Sequence, residues 1–146
     1  MPEKVSVIVT VYDRNELIDR CMESITGQTL SDIEILCISS LEKKNKKCID
    51  DWRSRDSRVR QIDTSLYMTT AEALNAAIDI AGGEYIAFID TDDYYYENNA
   101  LELLADACTK NNTNIAGAGI VEVNMFNADV RTQFDGIYSG YLFEKD

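Results

Sequence analysis

The sequence has no histidine and one proline, and its 14 basic residues are outnumbered by 26 acidic ones. Without histidine, a zinc site would need the four cysteines at 21, 37, 48 and 108, which are scattered and form no C-x-x-C pair. A zinc centre is therefore not expected, and each cysteine reads as a small, buried, reduced hydrophobe. The deficit of basic charge gives a formal net charge of −12, a field that repels phosphate backbones unless a basic patch or a metal intervenes. Nucleic acid is not an expected partner. Long apolar runs are missing too. No stretch is long enough to span a bilayer, and "MPEKVSVIVTVYD" at the N-terminus is too short an apolar run for a signal peptide. The expectation is a cytoplasmic chain, or one peripheral to the inner face of a membrane through a part outside this sequence.

What is present fits one globular domain over residues 1–146. Hydrophobic residues make up 45% of the 146, and there is neither the polar bias of a disordered chain nor a repeat. The densest basic stretch, "LEKKNKKCIDDWRSRDSRVR" (41–60), interleaves its cations with acids. It reads as a solvated helix face, with Leu41, Cys48, Ile49 and Trp52 as the inward stripe.

The pattern alternates strands and helices. "VSVIVTVY" (5–12) is a β-branched run of the kind buried on both faces of a parallel sheet. Asp13 and Glu16 have capping-box spacing ahead of a helix carrying Leu17, Ile18, Cys21, Met22 and Ile25 on one face, with Gly27 at its end. A strand "DIEILCIS" (32–39), a helix over 42–55 and a short strand around "RVRQID" follow. Thr69 and Glu72 form a second capping box, opening a helix over 70–81 that closes at Gly82 and Gly83. Then come the strand "EYIAFID", a helix over roughly 97–110 and a strand through "NIAGAGIVEV", with a weakly alternating tail from Asn127. Strands separated by helices of this length predict right-handed βαβ units, hence an α/β, mostly parallel sheet covered by helices on both faces.

In such sheets ligands bind at the carboxyl ends of strands. The strand "EYIAFI" ends there in Asp90, Asp92 and Asp93, three carboxylates in four positions, with Thr10 to Asp13 and Ser39 to Leu41 as companion edges. Carboxylates packed this closely repel unless a cation compensates, and Mg²⁺ or Mn²⁺ suits an all-oxygen site completed by water and phosphate. The plainer alternative leaves Asp93 as a helix cap or in solvent.

The order of these segments resembles the family 2 glycosyltransferases, from about residue 4 to 110. "VSVIVTVYDRNELIDRCMESITGQTLSDIEIL" is similar to the family's opening strand, turn, helix, Q-T turn and second strand, with Thr10 in the place of a proline. "LNAAIDIAGGEYIAFIDTDD" resembles its R-N-A-G helix followed by the D-x-D strand. The resemblance implies a GT-A-like, Rossmann-like fold and a nucleotide-diphosphate-sugar donor. It further implies metal-dependent inverting transfer of a sugar to a saccharide or lipid-linked acceptor, in building a surface polysaccharide. It makes Asp90-Thr91-Asp92 the D-x-D motif, with Asp92 the main ligand of Mn²⁺ or Mg²⁺ and Asp90 nearer the ribose and diphosphate. Thr10, Val11, Tyr12, Asp13 and Ser39 would line the nucleotide site, and Asn75 matches a family asparagine.

The departures are specific. Ser39 and Ser40 stand where the family has two carboxylates, one of which recognises the base, and Leu74 stands for an arginine. At helical spacing with Ala77, Ile78 and Ala81, Leu74 reads as core-facing. The resemblance places the general base in an acceptor half that residues 1–146 do not complete, and no motif selects Glu122, Asp129, Asp135, Glu144 or Asp146 for the role. The tyrosines 94–96 suit stacking on a sugar or base, or packing at the loop. The rival readings are a degenerate, non-catalytic interaction module and a nucleotidyltransferase, although the latter's glycine-rich basic phosphate loop is missing.

Overall fold

The computed structural model describes residues 5–11, 17–39, 43–64, 69–123, 130–133 and 141–144. Six strands form the main sheet: β1 (Val5–Val11), β2 (Ile33–Ser39), β3 (Val59–Asp63), β4 (Tyr85–Asp90), β5 (Ile115–Gly117) and β8 (Tyr141–Glu144). Four helices connect them: α1 (Ile18–Thr26), α2 (Lys43–Arg55), α3 (Thr70–Ile80) and α4 (Ala100–Asn111). Strands β6 (Ile120–Val123) and β7 (Val130–Gln133) pair antiparallel in a small sheet of their own.

The main sheet runs β3-β2-β1-β4-β8-β5. The first four strands are parallel, and β8 is inserted antiparallel between β4 and β5. All but one residue of β1 are buried and β2 is buried throughout, as expected of central strands covered on both faces.

Alternation along the strands divides the core in two. Val5, Val7, Val9 and Val11 of β1 join Ile33, Ile35, Cys37, Tyr85, Ala87 and Ile89 on the face covered by α1, α2 and α4. Helix α1 presents Ile18, Cys21, Met22 and Ile25 to that face, a spacing that keeps four apolar side chains on one side of a 3.6-residue helix. Ile8, Leu36, Ile38 and Ile86 line the opposite face, covered by α3 through Ala73, Ala77 and Ala81, with Leu74 packed alongside. Leu74 is thus the core-facing leucine its spacing predicts.

The capping box at α3 is present: the Thr69 hydroxyl accepts the Glu72 backbone N–H, and the Glu72 carboxylate accepts that of Thr69. The two glycines beyond α3 do different work from a helix stop. The helix leaves its last turn at Ala81 in extended conformation, and the N–H groups of Gly82 and Gly83 reach back across the sheet. Gly82 donates to Glu34 Oε1 (2.6 Å) and Gly83 to Ser6 Oγ (2.8 Å), while Ser6 Oγ donates to the same Glu34 oxygen (2.6 Å). Arg60 pairs with the other Glu34 oxygen at 3.1 Å.

Two expectations need correction. The run 114–123 is two strands, because β5 enters the main sheet while β6 pairs with β7, the break falling in the small-residue stretch Ala116 to Gly119. The helix expected from 97 begins at Ala100, with Asn99 at its N-cap, so Asp93 does not cap it. The described part of α1 starts at Ile18, and Asp13 and Glu16 lie outside the described residues. Trp52 is buried as predicted, its indole N–H donating to Asp19 Oδ1 at 2.9 Å. The exposed cations and acids of α2 form the solvated face that its sequence predicts.

Candidate functional site: an acidic triad at the sheet's switch point

Sheet order reverses beside β1. Successive strands run outward through β2 to β3, and the chain then returns to place β4 on the other flank of β1. A crevice at the carboxyl ends of the strands at such a reversal is where open α/β sheets bind ligands. β4 delivers Asp90 to that edge: up to Ile89 the strand is buried apart from the half-buried Phe88, and Asp90 is exposed.

Behind Asp90 the chain turns sharply, the Asp93 N–H donating to the Asp90 carbonyl at 3.0 Å. The turn brings carboxylate oxygens of Asp90, Asp92 and Asp93 within 4.8 Å of one another, all three residues exposed. Thr91 lies buried between them. Loss of hydration around its carboxyl, then repulsion from Asp92 and Asp90, pushes the Asp93 pKa above the ordinary value, and the Arg20 guanidinium partly offsets this. The donor set is entirely hard oxygen, which fits Mg²⁺ or Mn²⁺ and suits softer metals poorly.

Among the other residues singled out by sequence, Thr10 joins the triad directly, its hydroxyl donating to Asp90 Oδ1. Val11 and Ser39 do not. Both have zero exposure, and strand alternation turns them to the face opposite Thr10 and Asp90. The Val11 side chain is core, and its carbonyl accepts from the buried Asn45 amide at 3.1 Å. The Ser39 hydroxyl accepts from Gln61 Nε2 at 3.3 Å, and its carbonyl accepts from the Thr64 hydroxyl at 2.9 Å. Tyr12, Asp13 and Ser40 lie outside the described residues, and Asn75 is exposed on α3.

The tyrosine run divides by position. Tyr94 lies beneath the Arg20 guanidinium, 4.4 Å from carbon to ring centroid. Tyr95 packs against the core, where burial pushes its phenol pKa up, and Tyr96 is 59% exposed. Below the turn, Cys21 Sγ donates to the Asp90 carbonyl at 3.5 Å. Its thiol is pushed up to about 12, mainly by burial and then by Asp93 and Asp90, and burial pushes Cys37 to about 12 as well. Both remain uncharged thiols, inert at neutral pH.

Sequence reasoning counted Asp93 among the three close carboxylates but kept it out of the metal ligands, whereas the turn gathers its carboxylate with the other two. That reasoning missed Arg20, which appears in the sequence merely as a cation beside the apolar stripe of α1.

These features meet in one class, an α/β sheet with an acidic turn after the strand that flanks the switch point. The chain belongs to glycosyl transferase family 2, whose family model matches residues 6–143. It is 31% identical over 148 aligned residues to the glycosyltransferase GlyG of Streptococcus pneumoniae, an alignment covering 100% of this chain and 46% of GlyG. Among solved structures it resembles the S. aureus TarS fragment 1–349 in complex with UDP, with a TM-score of 0.63 at 20% identity, covering 86% of this chain and 43% of that one. It also resembles the mannosyltransferase PcManGT of Pyrobaculum calidifontis in complex with GDP-Man and Mn²⁺, with a TM-score of 0.60 at 22% identity, covering 69% and 31%. At these identities the structural likeness establishes the GT-A fold. The chain spans less than half the length of each of these relatives. No helix among the described residues is long and apolar enough to cross a membrane.

Proposed function

We propose that this chain is the donor-binding part of a glycosyltransferase that moves a sugar from a nucleotide-diphosphate donor to a saccharide or lipid-linked acceptor with inversion. The observation that carries the reading is the convergence of Asp90, Asp92 and Asp93 at the switch-point edge of a family 2 chain. Asp92 and Asp90, with Asp93 beside them, would hold Mn²⁺ or Mg²⁺. A bound divalent cation supplies Lewis acidity that neutralises charge on a departing diphosphate.

The chain's own residues have definable parts in this. Thr10 fixes the Asp90 carboxylate by hydrogen bonding, which commits one lone pair of one oxygen and leaves the others available to a ligand. Apolar packing of Val11, and of Ile89 before Asp90, keeps water from the underside of the site. A triad carrying formal negative charge on an acidic protein repels a free diphosphate, so donor binding on this reading requires the cation. The complexes of the two structural neighbours, one with UDP and one with GDP-Man and Mn²⁺, are consistent with a nucleotide-sugar donor and leave the base open. Polysaccharide assembly as the setting and the inner face of a membrane as the place belong to the same proposal.

A second reading, a relative that keeps the sheet without turning over, is favoured by Ser39. The position that carries a carboxylate in the family is here sealed from solvent and satisfied by Gln61. Thermal shift with UDP, GDP and CDP sugars, with and without Mn²⁺, separates the two. One donor at a hundred times its dissociation constant should add about 2.7 kcal/mol of stability in wild type, with Mn²⁺ present. Asp92→Ala should abolish the effect. Silence from every nucleotide with metal present favours the non-catalytic relative.

A further inference from the structure

Arg20 and Ser24 stand one turn apart on α1, and Gln28 follows at the same interval, just beyond the Gly27 C-cap. All three reach the segment that leaves β4. Arg20 Nη2 donates to the Asp92 carbonyl at 3.3 Å while its guanidinium covers Tyr94. Ser24 Oγ accepts the Tyr95 backbone N–H at 3.0 Å and donates to the Cys21 carbonyl at 2.7 Å. Gln28 Nε2 donates to the carbonyls of Ser24 (3.0 Å) and Glu97 (2.9 Å), and its Oε1 accepts the Leu101 N–H at 2.9 Å. Gln28 is 7% exposed, so these bonds are made out of water, where an unfilled partner is most costly. The Thr29 N–H adds a bond to the Asn98 carbonyl at 2.7 Å.

Each of these bonds to the loop ends on backbone, and none consumes a carboxylate of the triad. That division matters. Three like charges in one turn favour any loop conformation that spreads them, and a brace acting on the backbone opposes the spreading while leaving the carboxylate oxygens free for a ligand. The Arg20 charge also offsets part of the repulsion that Asp93 feels from Asp92 and Asp90.

We infer that Arg20, Ser24 and Gln28 are positioning residues: from one ridge of α1 they hold the segment 90–101 in the conformation in which Asp90, Asp92 and Asp93 converge before a cation arrives, and so set the affinity for it. The inference rests on the reading of the triad as a divalent-cation site. It adds what holds the acidic loop gathered against its own repulsion.

The test uses the full chain and two measurements: amide hydrogen exchange at Tyr95 and Leu101 without metal, and calorimetric titration with Mn²⁺ alone at a temperature well below unfolding. Ser24→Ala, Arg20→Lys and Gln28→Met interrupt the ridge at three points, the first two being mild enough to fold if the third does not. Thr26→Ala is the control on the same helix, since its hydroxyl bonds back to the Met22 carbonyl at 2.9 Å. Ser24→Ala should speed exchange at Tyr95, Gln28→Met should speed it at Leu101, and each of the three should weaken Mn²⁺ binding about tenfold, as loss of an outer-shell support does elsewhere. Arg20→Lys keeps the charge and loses the planar stack, so weaker binding there speaks for geometry. Thr26→Ala should change neither quantity. Faster exchange with unchanged Mn²⁺ affinity would reduce the ridge to a brace of the fold and overturn the inference, as would unchanged exchange. A wild-type chain that takes up no Mn²⁺ would instead overturn the cation reading itself, and the ridge's role with it.

Discussion

The hydroxyl of Thr10 donates to the carboxylate of Asp90 across the junction of β1 and β4, the two residues being register partners in parallel strands. The bond closes the rim of the sheet where strand order reverses, and it holds one member of the triad. Thr10→Val keeps the β-branched shape that the strand favours and removes the donor. It should lower stability by about 1 kcal/mol, read by urea denaturation, and weaken Mn²⁺ binding more than its effect on unfolding suggests.

Asp93→Asn should move stability and binding in opposite directions. The carboxylate is disfavoured by poor hydration and by its two acidic neighbours. A neutral amide removes the repulsion, so the metal-free protein should melt higher than wild type. The same change takes away one of three anionic donors, and Mn²⁺ affinity should fall. A variant that loses stability and binds Mn²⁺ as before would contradict both halves.

Glu34 and Arg60 form an ion pair whose two members should respond unequally. The Glu34 side chain is 9% exposed and accepts from Ser6 and Gly82 as well, whereas the Arg60 side chain is 55% exposed. Glu34→Ala strands the buried Ser6 hydroxyl, releases the Gly82 N–H and loosens the join between α3 and the sheet, for an expected loss of about 2 kcal/mol. Arg60→Ala removes a solvent-screened partner, worth about 0.5 kcal/mol. Chemical denaturation of the two variants side by side gives the ratio.

Asp56 carries a predictable part of the acid sensitivity. Hydrogen bonds from the Arg58 guanidinium, together with the Arg58 backbone N–H and charge, hold its pKa below the ordinary 3.8. Since the folded value is the lower one, the folded state binds fewer protons than the unfolded chain in the window between the two. The stabilisation is therefore complete above 3.8 and is lost as pH falls through the folded value. Asp56→Asn should cost about 1 kcal/mol at neutral pH, and the difference from wild type should vanish at strongly acidic pH.

The elements that sequence revealed are those decided locally. The β-branched run of β1, the stripe of α1 and the Thr69–Glu72 box each lie within one strand, one helix or one turn, and the structure has them where the pattern places them. The carboxyl-edge address of Asp90 was legible as well, because alternating strands and helices imply a parallel sheet, while the order reversal beside β1 came only with the structure. What escaped was decided between distant segments. Nothing near Gln28 announces that its amide will meet Leu101, and the exchange of β6 for β8 in the sheet depends on pairing that neither strand encodes alone. Ser39 could be seen to lack a charge. That Gln61 would close over it could not, since the bond joins neighbouring strands across the α2 crossover.

Strand β8 has a consequence for how the molecule is assembled in time. Tyr85 of β4 pairs with Glu144, and Ile115 of β5 reaches the sheet through Phe143, so β4 and β5 are joined only through β8. Contacts this distant along the chain close late, after the entropy of a long loop has been surrendered. During synthesis, the strand that carries the acidic turn therefore spends an interval with one flank bare, and a chaperone or a passing β-edge would find it there.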